Sequence, residues 1–200
     1  MRSVYEIVCQ RRTIRRFQEK SLPEEVLLKL VNAARLAPSG ANIQPCEFII
    51  VNDRQLIDAL FPCLKWAGYI APAGNPLAGE RPVAYIVVLV DIHRKKKGGE
   101  VDAAAGIENI SLIAWEEGIG SCWLESINRK QIKKILKIPH HLVVNSVVAL
   151  GYPKEQPVLE EFRGSIKYWK DKEGVLHVPK RKLEDIVHKN RYGKDSVEEV

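Results

Sequence analysis

The chain has 200 residues, 46% hydrophobic, 28% charged and 7% aromatic, with a formal net charge of +6. That is an ordinary composition for a soluble globular protein, and its length favours one domain over residues 1–200 with a sizeable core. The longest apolar run, Val83 to Val90, is too short for a bilayer, and Arg2, Glu6, Arg11 and Arg12 break any N-terminal leader pattern. The expectation is therefore a cytoplasmic protein without a membrane partner. Cys9, Cys46, Cys63 and Cys122 show no CxxC spacing and no histidine at zinc-finger distance. They read as reduced, mostly buried small hydrophobes.

Helix and strand signals alternate along the chain. Ser3-Val-Tyr-Glu6 is a capping box, opening a helix whose apolar face is Val4, Ile7 and Val8. Arg11 to Phe17 comes next. Ser21-Leu-Pro-Glu24 reads as a second box, and Leu27, Leu30, Val31 and Ala34 continue that helix until Pro38 stops it. Phe48 to Val51 predicts a strand, and Asn52 with Gln55 a helix through Leu60. Phe61 to Pro82 holds four prolines, three glycines and the aromatics Phe61, Trp66 and Tyr69. It reads as a pocket lid or as a packed surface loop.

Val83 to Ile92 predicts a buried strand. An apolar helix is predicted from about Glu100 to Glu117, with small residues over much of its surface, which places it centrally or at a subunit interface. Ser121 to Glu125 predicts a strand. Asn128 with Gln131 caps a helix, and Leu142 to Leu150 predicts another buried strand. Ile166 to Trp169 and Val175 to Val178 flank a hairpin turn at Asp171 to Gly174, and a last helix is predicted from about Lys182 to Asn190. The pattern is that of an α+β protein with helices on both faces of a sheet.

Two segments carry chemistry. Arg11-Arg12-Thr13-Ile14-Arg15-Arg16-Phe17 crowds guanidinium groups around a hydroxyl. Arg11 and Thr13 can reach a phosphate, and Arg15 shares their face if the backbone is extended. Pro38-Ser39-Gly40-Ala41-Asn42-Ile43-Gln44-Pro45 supplies donors from Ser39 and Asn42 and a glycine for close approach, with Gln44 expected to be extended before Pro45. Together they suit a large, flat, phosphorylated anion. The run Arg94-Lys-Lys-Lys97 reads as a solvated loop and not as a nucleic-acid site, and His140-His141 has no partner at metal-ligand spacing. No metal site and no nucleic-acid partner are expected.

In this order the segments resemble the nitroreductase family, whose pattern is Arg-Arg/His-Ser-x-Arg/Lys-x-Phe, then Pro-Ser-Ser-x-Asn-x-Gln-Pro-Trp. Asp102 and Asn109 lie farther on, in the alanine-rich helix. Next come Gly118-Ile-Gly-Ser-Cys-Trp-Leu-Glu125, Gly151-Tyr-Pro153 and Lys180-Arg-Lys-Leu-Glu-Asp185, each similar to a family segment. The likeness covers nearly the whole chain.

The resemblance implies a three-layer α/β/α sandwich with a mixed, mostly antiparallel central sheet, in an intertwined homodimer. It implies FMN bound at the dimer interface and NADH or NADPH as co-substrate. Arg11, Arg12, Thr13 and Arg15 would meet FMN from one subunit, with Arg15 near the N1/O2 edge of the ring. Pro38, Ser39, Gly40 and Asn42 would come from the other subunit. Trp123, Leu124, Glu125 and Ser126 would pass the ring, and Lys180 and Arg181 would complete the phosphate clamp. Hydride would pass from NAD(P)H through flavin N5 to a nitroaromatic, quinone or flavin acceptor by a ping-pong mechanism. That chemistry needs no general base, so no catalytic side chain is assigned.

The alternative is a flavin-binding module, or a specialised flavoenzyme of dehalogenase or synthase type, that does not use NAD(P)H. Three departures stand out. Thr13 replaces the usual serine, Gly40 a second serine and Cys46 a tryptophan. The segment of about 158–178 is longer than a minimal member needs, and reads as an inserted hairpin, either a clasping arm or a surface decoration.

Overall fold

The computed structural model describes residues 3–193. The chain divides into two compact units, Met1–Glu155 and Gln156–Val200. The first is built on four strands: β1 (Cys46–Val51), β2 (Ala84–Asp91), β3 (Gly120–Leu124) and β4 (Leu142–Gly151). Their order is β1-β2-β4-β3, and each neighbouring pair is antiparallel. A parallel bridge, Thr13 to Ser121, extends the sheet beyond β3 and makes it mixed.

Every residue of β2 is buried, because both faces of the sheet are covered. Tyr85, Val87 and Leu89 point into one core, with Ile57 and Leu60 of α3 (Arg54–Leu60) and Ile132 of α5 (Arg129–Ile135). Ala84, Ile86, Val88 and Val90 point into the other, with Leu27 and Leu30 of α2 (Glu24–Arg35) and Ala103, Ile107 and Ile110 of α4 (Gly99–Glu116). The period of two divides one strand between two cores, and the result is the expected three-layer sandwich. Each fully buried Leu or Ile contributes about 1.5–3 kcal/mol. Where α2 crosses α4, a Cβ on Gly106 would lie 3.4 Å from the Ala34 carbonyl, so only a small residue allows so close a crossing. No helix among the described residues is long and apolar enough to cross a membrane.

The second unit contains β5 (Val158–Glu161), β6 (Trp169–Lys170) and β7 (Leu176–Lys180). β5 runs parallel to β7 and β6 antiparallel to it. The Asp171–Gly174 hairpin forms, with Asp171 Oδ1 accepting the Val175 amide at 2.8 Å. Its first strand is shorter than expected, since Ile166 to Tyr168 stay outside it.

Several local expectations are corrected. The helix expected from Lys182 to Asn190 is a single 3-10 turn, Leu183–Asp185. Leu183 and Ile186 remain 61% and 51% exposed, so no apolar face offsets the cost of helix nucleation. Ser21 makes no cap, and α2 begins after Pro23, whose fixed φ suits the start of a helix. Asp53 rather than Asn52 caps α3, because its carboxylate reaches the Leu56 amide at 2.9 Å. Of the cysteines, Cys63 and Cys122 are buried, Cys46 is half-buried and Cys9 is exposed, and all are free.

The segment after α1 (Val4–Gln10) runs beside β3 and the end of β4. The Ile14 amide donates to the Ser121 carbonyl at 2.9 Å, and the Lys154 backbone amide donates to the Arg16 carbonyl at 2.9 Å. Ile14 and Phe17 are fully buried. They lie over Gly120 and Gly151, which are cross-strand partners. A Cβ on Gly120 would come within 2.7 Å of Ile14, and one on Gly151 within 2.9 Å of Phe17. Only a glycine pair leaves room for both side chains. A Gly120→Val variant is expected to lose about 1–3 kcal/mol in urea unfolding, since overpacking forces the segment off the sheet. An unchanged midpoint and slope would contradict that packing.

Candidate functional site

Ile14 and Phe17 turn inward, so the residues between and before them turn outward. Arg11 ends α1, with its amide donating to the Ile7 carbonyl at 2.9 Å. Its Nε lies 3.7 Å from Glu108 Oε1. Arg12 Nη1 donates to the Arg11 carbonyl at 2.5 Å. Thr13 makes the bridge to Ser121. The Arg15 and Arg16 amides both donate to Glu155 Oε1, at 2.5 and 3.2 Å. Arg16 pairs with Glu80 at 3.4 Å, and Glu80 also holds Lys154 at 3.4 Å.

The charges here do not balance. Arg16 has its carboxylate and Arg11 has a distant one, but Arg12 has no ion pair among the described residues. Arg11 Nε and Arg12 Nε are buried without a hydrogen-bond partner among those residues. Burial, and then the charge of Arg11, pull the Arg12 pKa down. An arginine does not escape by losing its proton at ordinary pH, so the site keeps unmet positive charge and unmet donors. An anion with several oxygens satisfies both, and a phosphate monoester fits.

The loop after α2 is built differently. Asn109 Nδ2 donates to the Ala33 carbonyl at 2.9 Å and secures the end of that helix. Gly40–Asn42 then forms one 3-10 turn. Ala41, Asn42 and Gln44 have φ of 52°, 54° and 52°, a region that favours glycine. Each such residue stores about 1–3 kcal/mol of strain. Gln44 is therefore not extended as expected, because its amide is drawn to Ser39 Oγ at 3.0 Å. The strain is held by Asp102, 7% exposed, whose Oδ1 accepts the Gly40 amide at 3.0 Å. Its Oδ2 accepts Lys95 Nζ at 2.6 Å. Arg35, Pro38, Ser39, Cys46, Phe48 and Arg94 are among the residues lining an open cleft of about 660 Å³ beside this loop.

Trp123 is 38% exposed on β3, while Leu124 is 5% exposed and belongs to the core, which leaves only its backbone for a ligand. Glu125 and Ser126 are exposed after the strand, and the Ser126 carbonyl accepts the Lys65 amide at 3.0 Å. That bond and the Leu64–Ile127 bridge pin the start of the 61–82 segment to this stretch. The early part of that segment is packed, with Trp66 at 5%, while Tyr69 farther on is 54% exposed. Lys180 ends β7 in the second unit, and Arg181 Nη2 donates to the Asp185 carbonyl at 2.8 Å.

The structure thus brings Arg11, Arg12, Thr13 and Arg15 alongside the start of β3. Among the described residues no hydrogen bond or ion pair joins Arg11, Arg12 or Thr13 to Pro38, Ser39, Gly40 or Asn42. Glu155, Glu108 and the clamping role of Asp102 escaped the sequence reading. Glu155 lies 140 residues from the Arg15 amide it accepts, and no local pattern marks such a partner.

The sequence model of the Nitroreductase family matches residues 8–152. A protein of Archaeoglobus fulgidus named for NADH dehydrogenase and NAD(P)H nitroreductase activity is 35% identical over 163 residues, which are 78% of this chain and 88% of that one. The structure of an FMN-dependent nitroreductase from Clostridium difficile R20291 is similar with a TM-score of 0.68, at 26% identity, over 93% of this chain and 98% of that one. A nitroreductase from Desulfovibrio desulfuricans, solved in complex with FMN, gives a TM-score of 0.66 at 25% identity, over 82% of this chain and 94% of that one.

Asp102 also yields a pH prediction. Burial raises its pKa, but the hydrogen bond from Lys95, the Gly40 amide and the charge of Lys95 outweigh that and hold it below the ordinary value. A depressed carboxyl stabilises the fold above its unfolded pKa and loses that contribution as pH falls through the folded value. Wild type is expected to exceed Asp102→Asn by about 1–3 kcal/mol at pH 7, with the gap closing below about pH 4. Urea unfolding across pH measures it, and a gap that is flat with pH would contradict the clamp.

Proposed function

The chain belongs to the nitroreductase family, and from that premise we propose that it is an FMN-dependent oxidoreductase. It draws electrons from NADH or NADPH and reduces a small acceptor, a nitroaromatic, a quinone or a flavin. The observation that carries this reading is the pair of buried guanidinium nitrogens, Arg11 Nε and Arg12 Nε, without an acceptor among the described residues. The donor set suits the phosphate and ribityl end of FMN.

In this reading Arg11, Arg12 and Thr13 hold the phosphate and ribityl chain. Arg15 is assigned to the N1/O2 edge of the ring, where a fixed cation stabilises negative charge. Its backbone is braced by Glu155, so the guanidinium starts from a fixed base. Trp123 to Ser126 run past the ring, with the Ser126 amide assigned to N5. Lys180 and Arg181 are assigned to the same phosphate clamp, and the segment of about 158–178 is assigned as an inserted hairpin or arm of a single domain. Bound FMN supplies two-electron transfer from NAD(P)H to the acceptor in alternating half-reactions. The side chains bind, orient and set the local field, and none serves as a general base.

Pro38, Ser39, Gly40 and Asn42 are assigned to the site of a second subunit, which makes the working unit a homodimer. The apolar surface supports this. Val4 and Tyr5 of α1, Leu36 after α2 and Val101 of α4 are 73%, 77%, 64% and 69% exposed. A groove of about 690 Å³, lined in part by Val4, Ile7, Leu36, Leu112 and Ile113, runs between those helices. Exposed apolar surface of this kind marks an interface.

The purified protein is expected to show an oxidised flavin spectrum that bleaches under anaerobic NADH or NADPH and recovers with acceptor. A protein that takes up no FMN sinks the assignment. Bound flavin that neither nicotinamide bleaches would favour the binding-module or specialised-enzyme reading. An Arg11→Ala variant is expected to weaken FMN binding by about 10–100-fold, as loss of a charge-assisted phosphate contact does. Fluorescence titration of FMN measures it, and an unchanged affinity would contradict the role.

A further inference from the structure

Arg94-Lys95-Lys96-Lys97 joins β2 to α4, and its cations are not equivalent. Lys95 is already committed. It pairs with Asp102 at 2.6 Å, with side chains only 17% and 6% exposed. Its Nζ would lie 3.0 Å from a Cβ on Gly40. This one lysine ties the basic stretch to the Ser39–Asn42 loop.

Arg94 is partly committed, and Lys96 and Lys97 are not. Arg94 lines the same cleft as Ser39. It lies 3.6 Å from Asp91 Oδ2, but its side chain is 60% exposed. Asp91 Oδ1 also accepts the His93 and Arg94 amides, at 2.8 and 3.4 Å, so its charge is shared. Lys96 and Lys97 are exposed and have no ion pair among the described residues. They line a second cleft of about 570 Å³, where Glu100 is the one carboxylate in the lining among the described residues. Arg129 stands in that cleft too, held by bonds of 3.0 and 2.8 Å to the Val144 and Asn145 carbonyls.

We propose that Arg94, Lys96 and Lys97 receive the 2′-phosphate of NADPH and thereby select it over NADH. The inference rests on the proposed function, in which the neighbouring loop meets flavin and a nicotinamide is the electron donor. The two co-substrates differ by one phosphate monoester, close to a dianion at neutral pH, so only charge and hydrogen bonding can tell them apart. That phosphate lies on the adenosine half, at the far end of the dinucleotide from the nicotinamide. Its receiver therefore belongs at the rim of the flavin loop and not against the ring. A solvent-facing basic stretch, tethered to that loop through Lys95 and Asp102, with Arg94 on the loop's own cleft and Lys96 and Lys97 on the next, meets this requirement.

The test uses the flavin-loaded wild type and the triple variant Arg94→Ala/Lys96→Ala/Lys97→Ala. All three side chains are exposed, so the variant keeps the fold, and its FMN affinity and circular dichroism are expected to match wild type. Anaerobic flavin reduction gives kcat/KM for each co-substrate. Wild type is expected to favour NADPH by about tenfold or more, and the triple variant to bring the ratio close to one with NADH kcat/KM unchanged. Calorimetry supplies a readout apart from turnover. Adenosine 2′,5′-bisphosphate should bind wild type more tightly than AMP does, with the difference falling at high salt and vanishing in the triple variant. A wild type that uses NADH as well as NADPH overturns this inference alone, as does a ratio the triple variant leaves unmoved. So does equal binding of the bisphosphate and AMP. A flavin that neither co-substrate reduces overturns both this inference and the function it rests on.

Discussion

The site depends on two glycines facing each other across β3 and β4. Gly120 and Gly151 are register partners, and their missing side chains open a recess at the edge of the sheet. Ile14 and Phe17 fill it and are fully buried. Once those two side chains point inward, Arg11, Arg12, Thr13 and Arg15 have to stay at the half-buried surface. Apolar burial thus positions a set of cations that would otherwise repel one another. The Glu155 carboxylate adds the polar half of the fixing by taking both the Arg15 and Arg16 amides.

The second loop is held by the opposite device. Here the backbone is strained and a buried charge restrains it. Ala41, Asn42 and Gln44 sit in a region costly for residues with a Cβ, and they are kept there by Ser39 Oγ and Asp102. Asp102 is tolerable in its buried place because Lys95 and an amide satisfy it. The two halves of the candidate site are therefore rigid for different reasons, one by packing and one by a polar clamp. Rigid donors suit a ligand whose charge has to be met at fixed points.

Much of this was legible in the sequence where the cause is local. The Ser3–Glu6 box forms as written, with both of its hydrogen bonds, and Asn128 caps α5 through the Gln131 amide. The buried strands were visible as apolar runs, and the alternation along β2 divides them between two cores as a doubly covered sheet requires. The family likeness carried the order of the layers. Errors fell where tertiary contacts decide. The 182–190 helix lacked a face to bury, and Gln44 was pulled out of its pre-proline preference by a side chain five residues away. The counter-charges at Glu108 and Glu155 are distant in sequence and leave no periodic trace.

The central claim is that the arginines after α1 exist to hold a phosphate. The most direct measurement is a paired titration of the flavin-free protein with FMN and with riboflavin, read by flavin fluorescence at low and high salt. The account predicts that FMN binds at least about 100-fold more tightly, and that the advantage shrinks as salt screens the charge. Equal affinity for the two flavins, or an advantage that salt leaves untouched, would contradict it.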